Sequence, residues 1–347
     1  MFVTGCHRSG TSLLASLLRA AVDQTRLDSP EPQLRPALDN PNGFHESKLL
    51  LEINQWLLSL IEADWHRPPL LATDWSDPEM LATIRHWRSR LKAYALGSLW
   101  LDKDPRLCIT FPAFSHLLLY RPPLAAALRD PLSVATSLYF RDGFALDVGL
   151  SLWFLYNHHL SRSLQSGDLL LTYQALLDLS CDRSESSTQT LYAIANFLVR
   201  VGVASSDFSI SILSEHLCSL PDSRLNRAQH CLPDLSLQNI NSPLLSLCQQ
   251  SYGAVEHSAG DPVSAFHTSF SALPSAVIDT LQRHHHLAAS DHRSLVLEKE
   301  HLTRQLRACE EHSAALQARV DSLERSSSWR LTAPLRRVKN VLRRRIR

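Results

Sequence analysis

Met1-Phe-Val-Thr-Gly5-Cys-His-Arg8-Ser9-Gly10-Thr11-Ser12 runs directly into Leu13-Leu14-Ala-Ser-Leu17-Leu18. An apolar start, two glycines with four residues between them, a run of hydroxyls and then apolar residues at helical spacing predict strand, tight loop and helix. Glycine lets the backbone turn sharply and brings N–H groups close to an anion. The helix N-terminus adds unsatisfied donors and a partial positive charge. The stretch therefore reads as a phosphate cradle, with Gly5, Arg8, Ser9, Gly10, Thr11 and Ser12 as its members; the plain alternative is a Gly/Ser turn before an ordinary helix.

An ATP- or GTP-binding loop reads G-x-x-x-x-G-K-[ST], its Lys reaching the β/γ-phosphates and its hydroxyl a magnesium ion. Here the Gly5–Gly10 spacing fits, but Thr11 stands where that Lys belongs and the cation lies inside the loop at Arg8. A ligand with neither a γ-phosphate nor a bound magnesium needs no such Lys. The pattern G-x-x-R-S-G-T-[ST]-L-L resembles the 5′-phosphosulfate loop of sulfotransferases that use 3′-phosphoadenylyl sulfate (PAPS).

Further along, Leu99-Trp100-Leu101, Ala125-Ala-Ala-Leu128 and Leu169-Leu-Leu-Thr172 read as short buried strands. Helical patterns follow at 107–118, 132–141, 146–164 and 188–200; earlier ones cover 49–60 and run from Asp77-Pro78 through Leu81, Ile84, Trp87, Leu91 and Tyr94. Alternation of this kind predicts an α/β fold, a P-loop NTPase-like parallel sheet flanked by helices. Ligands of such sheets gather at the carboxyl ends of the strands. Arg8, Lys103 and Arg129 each fall just past an expected strand end and so should share one sheet edge. From 203 to 285 the periodicity is weak and gives no assignment.

The resemblance continues through Lys103-Asp-Pro-Arg106-Leu-Cys, Leu128-Arg129-Asp-Pro131-Leu-Ser-Val-Ala-Thr-Ser137-Leu, Arg141-Asp-Gly143 and Leu152-Trp153-Phe-Leu-Tyr156-Asn157, which look like the bacterial branch of the PAPS sulfotransferase superfamily over about residues 1–180. It implies transfer of a sulfuryl group from PAPS to an acceptor hydroxyl, with no metal. It also implies a 3′-phosphate site at Arg129 and Ser137, where a guanidinium can fork onto a dianion and a helical hydroxyl can donate. Read plainly, Arg129 pairs with Asp130 and Ser137 is an ordinary helical serine. Lys103 either stabilises charge on the leaving group or pairs with Asp102 or Asp104.

The acceptor hydroxyl needs a base. Asn40-Pro-Asn-Gly43-Phe44-His45-Glu46 resembles the relatives that use a Glu, which selects Glu46, with His45 in reserve; otherwise Glu46 only serves the N-terminus of the following helix. Trp65 reads as core, one Trp among seven, with a pocket wall as the alternative. His284-His285-His286 reads as a solvated helix face.

The totals, 44% apolar and 20% charged residues, are those of a globular protein. Seven cysteines, at Cys6, Cys108, Cys181, Cys218, Cys231, Cys248 and Cys309, are odd in number and never in C-x-x-C spacing. They point to reduced thiols in a cytoplasmic compartment and away from a disulfide framework or zinc site. No secretory signal pattern precedes the loop; only four residues precede Gly5, which leaves room for an upstream start.

Nine of the 35 Lys/Arg and none of the 34 acids follow Glu324, so an acidic body of net charge −8 carries a basic tail. The expected division is a sulfotransferase-like domain over 1–290, a coiled-coil helix over 291–325 and a basic amphipathic tail over 326–347. Leu295, Leu302, Leu306, Cys309, Leu316, Val320 and Leu323 form the coiled-coil seam, interrupted at Lys299 and Ser313, and would allow a homo-oligomer. The tail interleaves Arg with Trp329, Leu331, Leu335 and Ile346, and favours an anionic membrane surface over nucleic acid, since no nucleic-acid fold precedes it. That placement suggests a carbohydrate or glycolipid acceptor. The rival functions are a P-loop kinase of a small molecule and a catalytically inactive interaction protein that binds adenosine 3′,5′-bisphosphate and recruits partners through the coiled coil.

Overall fold

In the computed structural model the described residues are 1–22, 46–96, 99–179, 185–203, 241–258 and 261–285, with Gln317 and Ser322 isolated beyond them. The chain divides into two compact units, Met1–His284 and His285–Arg347, and the second lies almost wholly outside the described residues. So do the expected coiled coil, the basic tail, His45 and His286.

Four strands, β1 Phe2–Thr4, β2 Asp102–Lys103, β3 Leu124–Leu128 and β4 Leu169–Thr172, pair in parallel in the order β2-β1-β3-β4. The expected α/β architecture is therefore present. Side chains alternate across a strand, and the sheet divides its apolar residues accordingly. Phe2, Leu124, Ala126, Leu128 and Leu170 enter one core, and Val3, Ala125, Ala127, Leu169 and Leu171 the other.

Helices α1 Thr11–Ala21, α7 Tyr173–Asp178 and α8 Glu185–Arg200 close the second core through Leu14, Leu17, Leu18, Leu176, Ile194 and Leu198. The first core takes α2 Lys48–Leu60, α3 Pro78–Ile84, α4 Leu107–Leu118, α5 Pro131–Asp142, α6 Leu146–Ser161, α9 Ser242–Glu256 and α10 Pro262–Phe270. With both faces covered, a parallel sheet can be apolar throughout, as the fully buried Leu-Ala-Ala-Ala-Leu of β3 is. The chain leaves β1 for β2 on one side and later reaches β3 on the other. The loop after β1 thus lies where the strand order reverses, the place at which open α/β sheets bind ligands.

Two expected elements differ. The strand read at 99–101 is displaced: Asp102 N–H donates to the Met1 carbonyl at 3.2 Å, and regular pairing sets Asp102 opposite Phe2 and Lys103 opposite Val3. Lys103 is therefore the last residue of β2, not one beyond it. Two charged residues tolerate this burial because each has a partner. Asp102 accepts from the Tyr94 hydroxyl at 2.6 Å and the Ser47 N–H at 3.0 Å, and Lys103 pairs with Glu46.

The helix read from Asp77 to Tyr94 starts as expected, with the Asp77 carboxylate accepting from Glu79 and Met80 N–H and Pro78 in the first turn. It ends at Ile84 and continues as 3₁₀ turns over Arg85–Arg90 and Lys92–Tyr94. At three residues per turn the buried Ile84 and Trp87 stay on one face, while Arg90 lies over the Trp87 ring and forks onto Glu52. In the stretch left unassigned, 242–256, 262–270 and 275–285 are helical. The buried stripe Leu244, Cys248, Ser251, Tyr252 and Val255 has the helical period. Among the described residues no helix is long and apolar enough to cross a membrane.

Candidate active site

The loop from Gly5 to Gly10 joins the carboxyl end of β1 to the first turn of α1, and three of its residues have positive φ: Gly5 (143°), Arg8 (69°) and Gly10 (88°). The glycines are needed for space as well. A Cβ on Gly5 would lie 2.3 Å from the Ala127 carbonyl oxygen, and one on Gly10 would lie 2.3 Å from Cδ2 of Tyr173. Gly10 caps α1, whose first turn carries no acid, so no acidic side chain of that turn neutralises the partial positive charge of the helix N-terminus. Thr11 is buried and Ser12 half-buried. Ser9 is fully buried, and its Oγ has no hydrogen-bond partner among the described residues.

The side chains expected to hold phosphate converge on this loop. Arg8 Nε donates to Ser137 Oγ on α5 at 2.9 Å, and Arg129 Nη1 donates to the Arg8 carbonyl at 3.0 Å. Arg129 follows β3 and is buried, with its own carbonyl accepting from Trp153 Nε1 at 2.9 Å. Burial weighs against its charge, a cost that an anionic ligand would relieve. The plain reading of Arg129 as an ion pair with Asp130 is not what the structure favours. Asp130 caps α5 through the Ser133 N–H at 2.7 Å, and Arg129 stacks on Tyr173, its Cζ 4.2 Å from the ring centroid. Tyr173 was not anticipated. It opens α7 just past β4, and one ring braces both Gly10 and Arg129.

Glu46 and Lys103 form a buried ion pair. The alternative partners for Lys103, Asp102 and Asp104, are its neighbours along the strand and so point to the opposite face. Asp104 instead pairs with Arg106 at 3.0 Å. Glu46 is held from behind: the next residue, Ser47, caps α2 by accepting the Leu50 N–H at 3.0 Å while its own N–H is bound by Asp102. Burial raises the Glu46 carboxyl above its usual value, against the opposing pull of Lys103.

The His7 ring, one residue before Arg8, meets Trp65 (centroids 4.8 Å apart) and the edge of Tyr156 (5.4 Å). Trp65 is half-buried and packs against the core from outside it, which corrects its reading as core. His284 is likewise no solvated residue, since its half-buried ring meets Phe144 at 5.5 Å. A site for a phosphate-bearing nucleotide needs backbone room, cations and hydroxyls. The crowded glycines, the Arg8–Ser137–Arg129 cluster and the orphaned Ser9 hydroxyl fit that need.

No family model and no curated protein matches the chain. Among solved structures, the sulfotransferase domain from the Synechococcus PCC 7002 olefin synthase aligns over 81% of this chain and 92% of its own, at 17% identity and a TM-score of 0.34. The sulfotransferase domain from the curacin biosynthetic pathway aligns over 79% and 98%, at 15% identity and a TM-score of 0.34. Likeness at this level carries no argument about activity.

Proposed function

We propose that this chain is a sulfotransferase that moves a sulfuryl group from PAPS to an acceptor hydroxyl, releasing adenosine 3′,5′-bisphosphate (PAP). One observation supports it above the rest: Arg8 from the loop after β1, Ser137 from α5 and Arg129 from the end of β3 meet at hydrogen-bond distance beside a glycine loop that opens a helix. The sequence resemblance gives the same residues the same task.

In this reading Ser9, Gly10, Thr11 and Ser12 frame the 5′-phosphate with backbone N–H groups and hydroxyls, and Arg129 with Ser137 holds the 3′-phosphate. The donor supplies an activated sulfuryl group and a phosphate leaving group. Arg8 and Lys103 offer positive charge where negative charge builds during transfer. Glu46, paired with Lys103 and made more basic by burial, takes the proton of the acceptor hydroxyl.

The remaining expectations belong to the same proposal. They are a cytoplasmic protein held peripherally at an anionic membrane by residues 326–347, paired through 291–325, and acting on a carbohydrate or glycolipid. Deleting 326–347 should lower the membrane-bound fraction. The function itself is tested by incubating the full chain with radiolabelled PAPS and a panel of carbohydrate, glycolipid and phenolic hydroxyl acceptors. Label should enter a sulfate ester and should stop doing so in Arg8→Glu.

A further inference from the structure

The loop after β1 sends successive side chains to different neighbours: Arg8 reaches Ser137, whereas His7 lies among aromatic rings. Those rings come from separate parts of the chain. Trp65 and His66 follow α2, Phe144 follows α5, and Tyr156 belongs to α6. Trp65 and Phe144 have centroids 5.8 Å apart, and His66 stacks on Phe144 at 6.3 Å. Trp65, His66 and Phe144 are all half-buried, so these faces are not sealed into the core. Arg141 adds a cation 5.4 Å from the Trp65 centroid.

His7 Nε2 is buried and has no hydrogen-bond partner among the described residues. Leaving such a group unpaired costs about 1–3 kcal/mol. The nearby Tyr156 hydroxyl donates to the Trp65 carbonyl at 2.7 Å and makes no hydrogen bond with Nε2. Burial first, then Arg106, Arg141, Lys103 and Arg8, keep the imidazole neutral. A mainly aromatic wall with a few convergent polar groups, here His7 Nε2 with His66 and Arg141 beside the Phe144 and Trp65 rings, is the make-up of a small-molecule site, and aromatic faces suit a flat ring.

We propose that His7, Trp65 and Phe144 form an acceptor subsite for a hydroxyl carried on a flat-faced ring, with His7 Nε2 hydrogen-bonded to that hydroxyl. The assignment rests on the sulfotransferase reading, and it gives acceptor binding to His7 and its aromatic neighbours and donor binding to Arg8 and its partners. Glu46 keeps the proton-accepting role; His7 orients the oxygen.

The test is ligand-observed saturation-transfer NMR on the full chain, with and without PAP, using phenyl β-D-glucopyranoside, phenol and methyl β-D-glucopyranoside as separate probes. Saturation should reach at least one probe's ring protons, phenol marking an aromatic acceptor and the methyl glucoside a sugar. His7→Phe, which keeps a ring against Trp65 but removes Nε2, should weaken that probe about tenfold, and Trp65→Ala or Phe144→Leu should do the same or more. Tyr192→Ala, on the exposed side of α8, should not. Saturation reaching none of the probes, or binding kept in His7→Phe or in a folded wall variant, overturns the subsite. Absence of PAP binding to the unaltered chain, read by calorimetry, would instead overturn the sulfotransferase reading, while the probes still decide the subsite.

Discussion

Arg129 Nη1 lies 3.0 Å from the carbonyl oxygen of Arg8, so the cation after β3 holds the backbone of the loop after β1. The same guanidinium stacks on Tyr173 and its residue's carbonyl is fixed by Trp153. Arg129→Ala should therefore weaken PAP binding by more than one lost charge contact, which alone is about 1.5–3 kcal/mol, or roughly 10–100-fold. Tyr173→Phe should cost little, because the stacking face remains, whereas Tyr173→Ala should follow Arg129→Ala. Titration calorimetry of the three variants checks the order.

Gly10→Ala places a methyl group 2.3 Å from the Tyr173 ring at a φ of 88°. The strain of that backbone region and the displaced ring together should destabilise the fold by about 1–3 kcal/mol. Gly5→Ala should cost at least as much, since its clash is with the Ala127 carbonyl of the central sheet, which cannot swing aside. Urea unfolding midpoints report both losses.

Glu46→Gln should lower kcat by about 10²–10⁴-fold if Glu46 takes the acceptor proton, with PAP affinity retained. The carboxyl's value is raised by burial, so it becomes protonated at higher pH than an ordinary Glu. The acid limb of the kcat/KM profile should therefore lie above the usual carboxylate range and vanish in Glu46→Gln. Lys103→Met leaves a buried carboxylate without its partner and should destabilise the protein by about 3–5 kcal/mol.

His159 supplies a separate dependence on pH. It is buried, Nε2–H donates to the Pro69 carbonyl at 2.6 Å, and burial lowers it from 6.5 to about 4. The unfolded chain takes up a proton at this residue below pH 6.5, whereas the folded chain does so only near 4. The stabilising contribution is complete above 6.5 and is lost as the pH falls through that window, by up to about 3 kcal/mol. His159→Gln should flatten the fall in stability between pH 7 and pH 4.5, measured by denaturant unfolding.

Local chemistry made β1, its loop and α1 legible, because glycine spacing and helical periodicity need no distant partner. Arg8 and Arg129 were legible as strand-end residues for a related reason, since each follows a strand that the pattern already marks, whereas Ser137 stands mid-way along α5 and was reached through the resemblance. Tyr173 was not: its stack on Arg129 exists only because β3 and β4 pair, bringing two strand ends side by side. The partner of Lys103 was misjudged by looking to its neighbours in sequence, which a strand turns away. The break after Ile84 carries no Pro or Gly, and the packing of Trp87 and Arg90 imposes it from outside the segment.

The central claim is that the loop from Gly5 to Gly10 holds a phosphate-bearing nucleotide through Arg8. Titration calorimetry of PAP against the full chain and against Arg8→Glu tests it most directly. Saturable heat with the unaltered chain and none with the reversed charge is the predicted result; no heat in either, or equal heat in both, would contradict it.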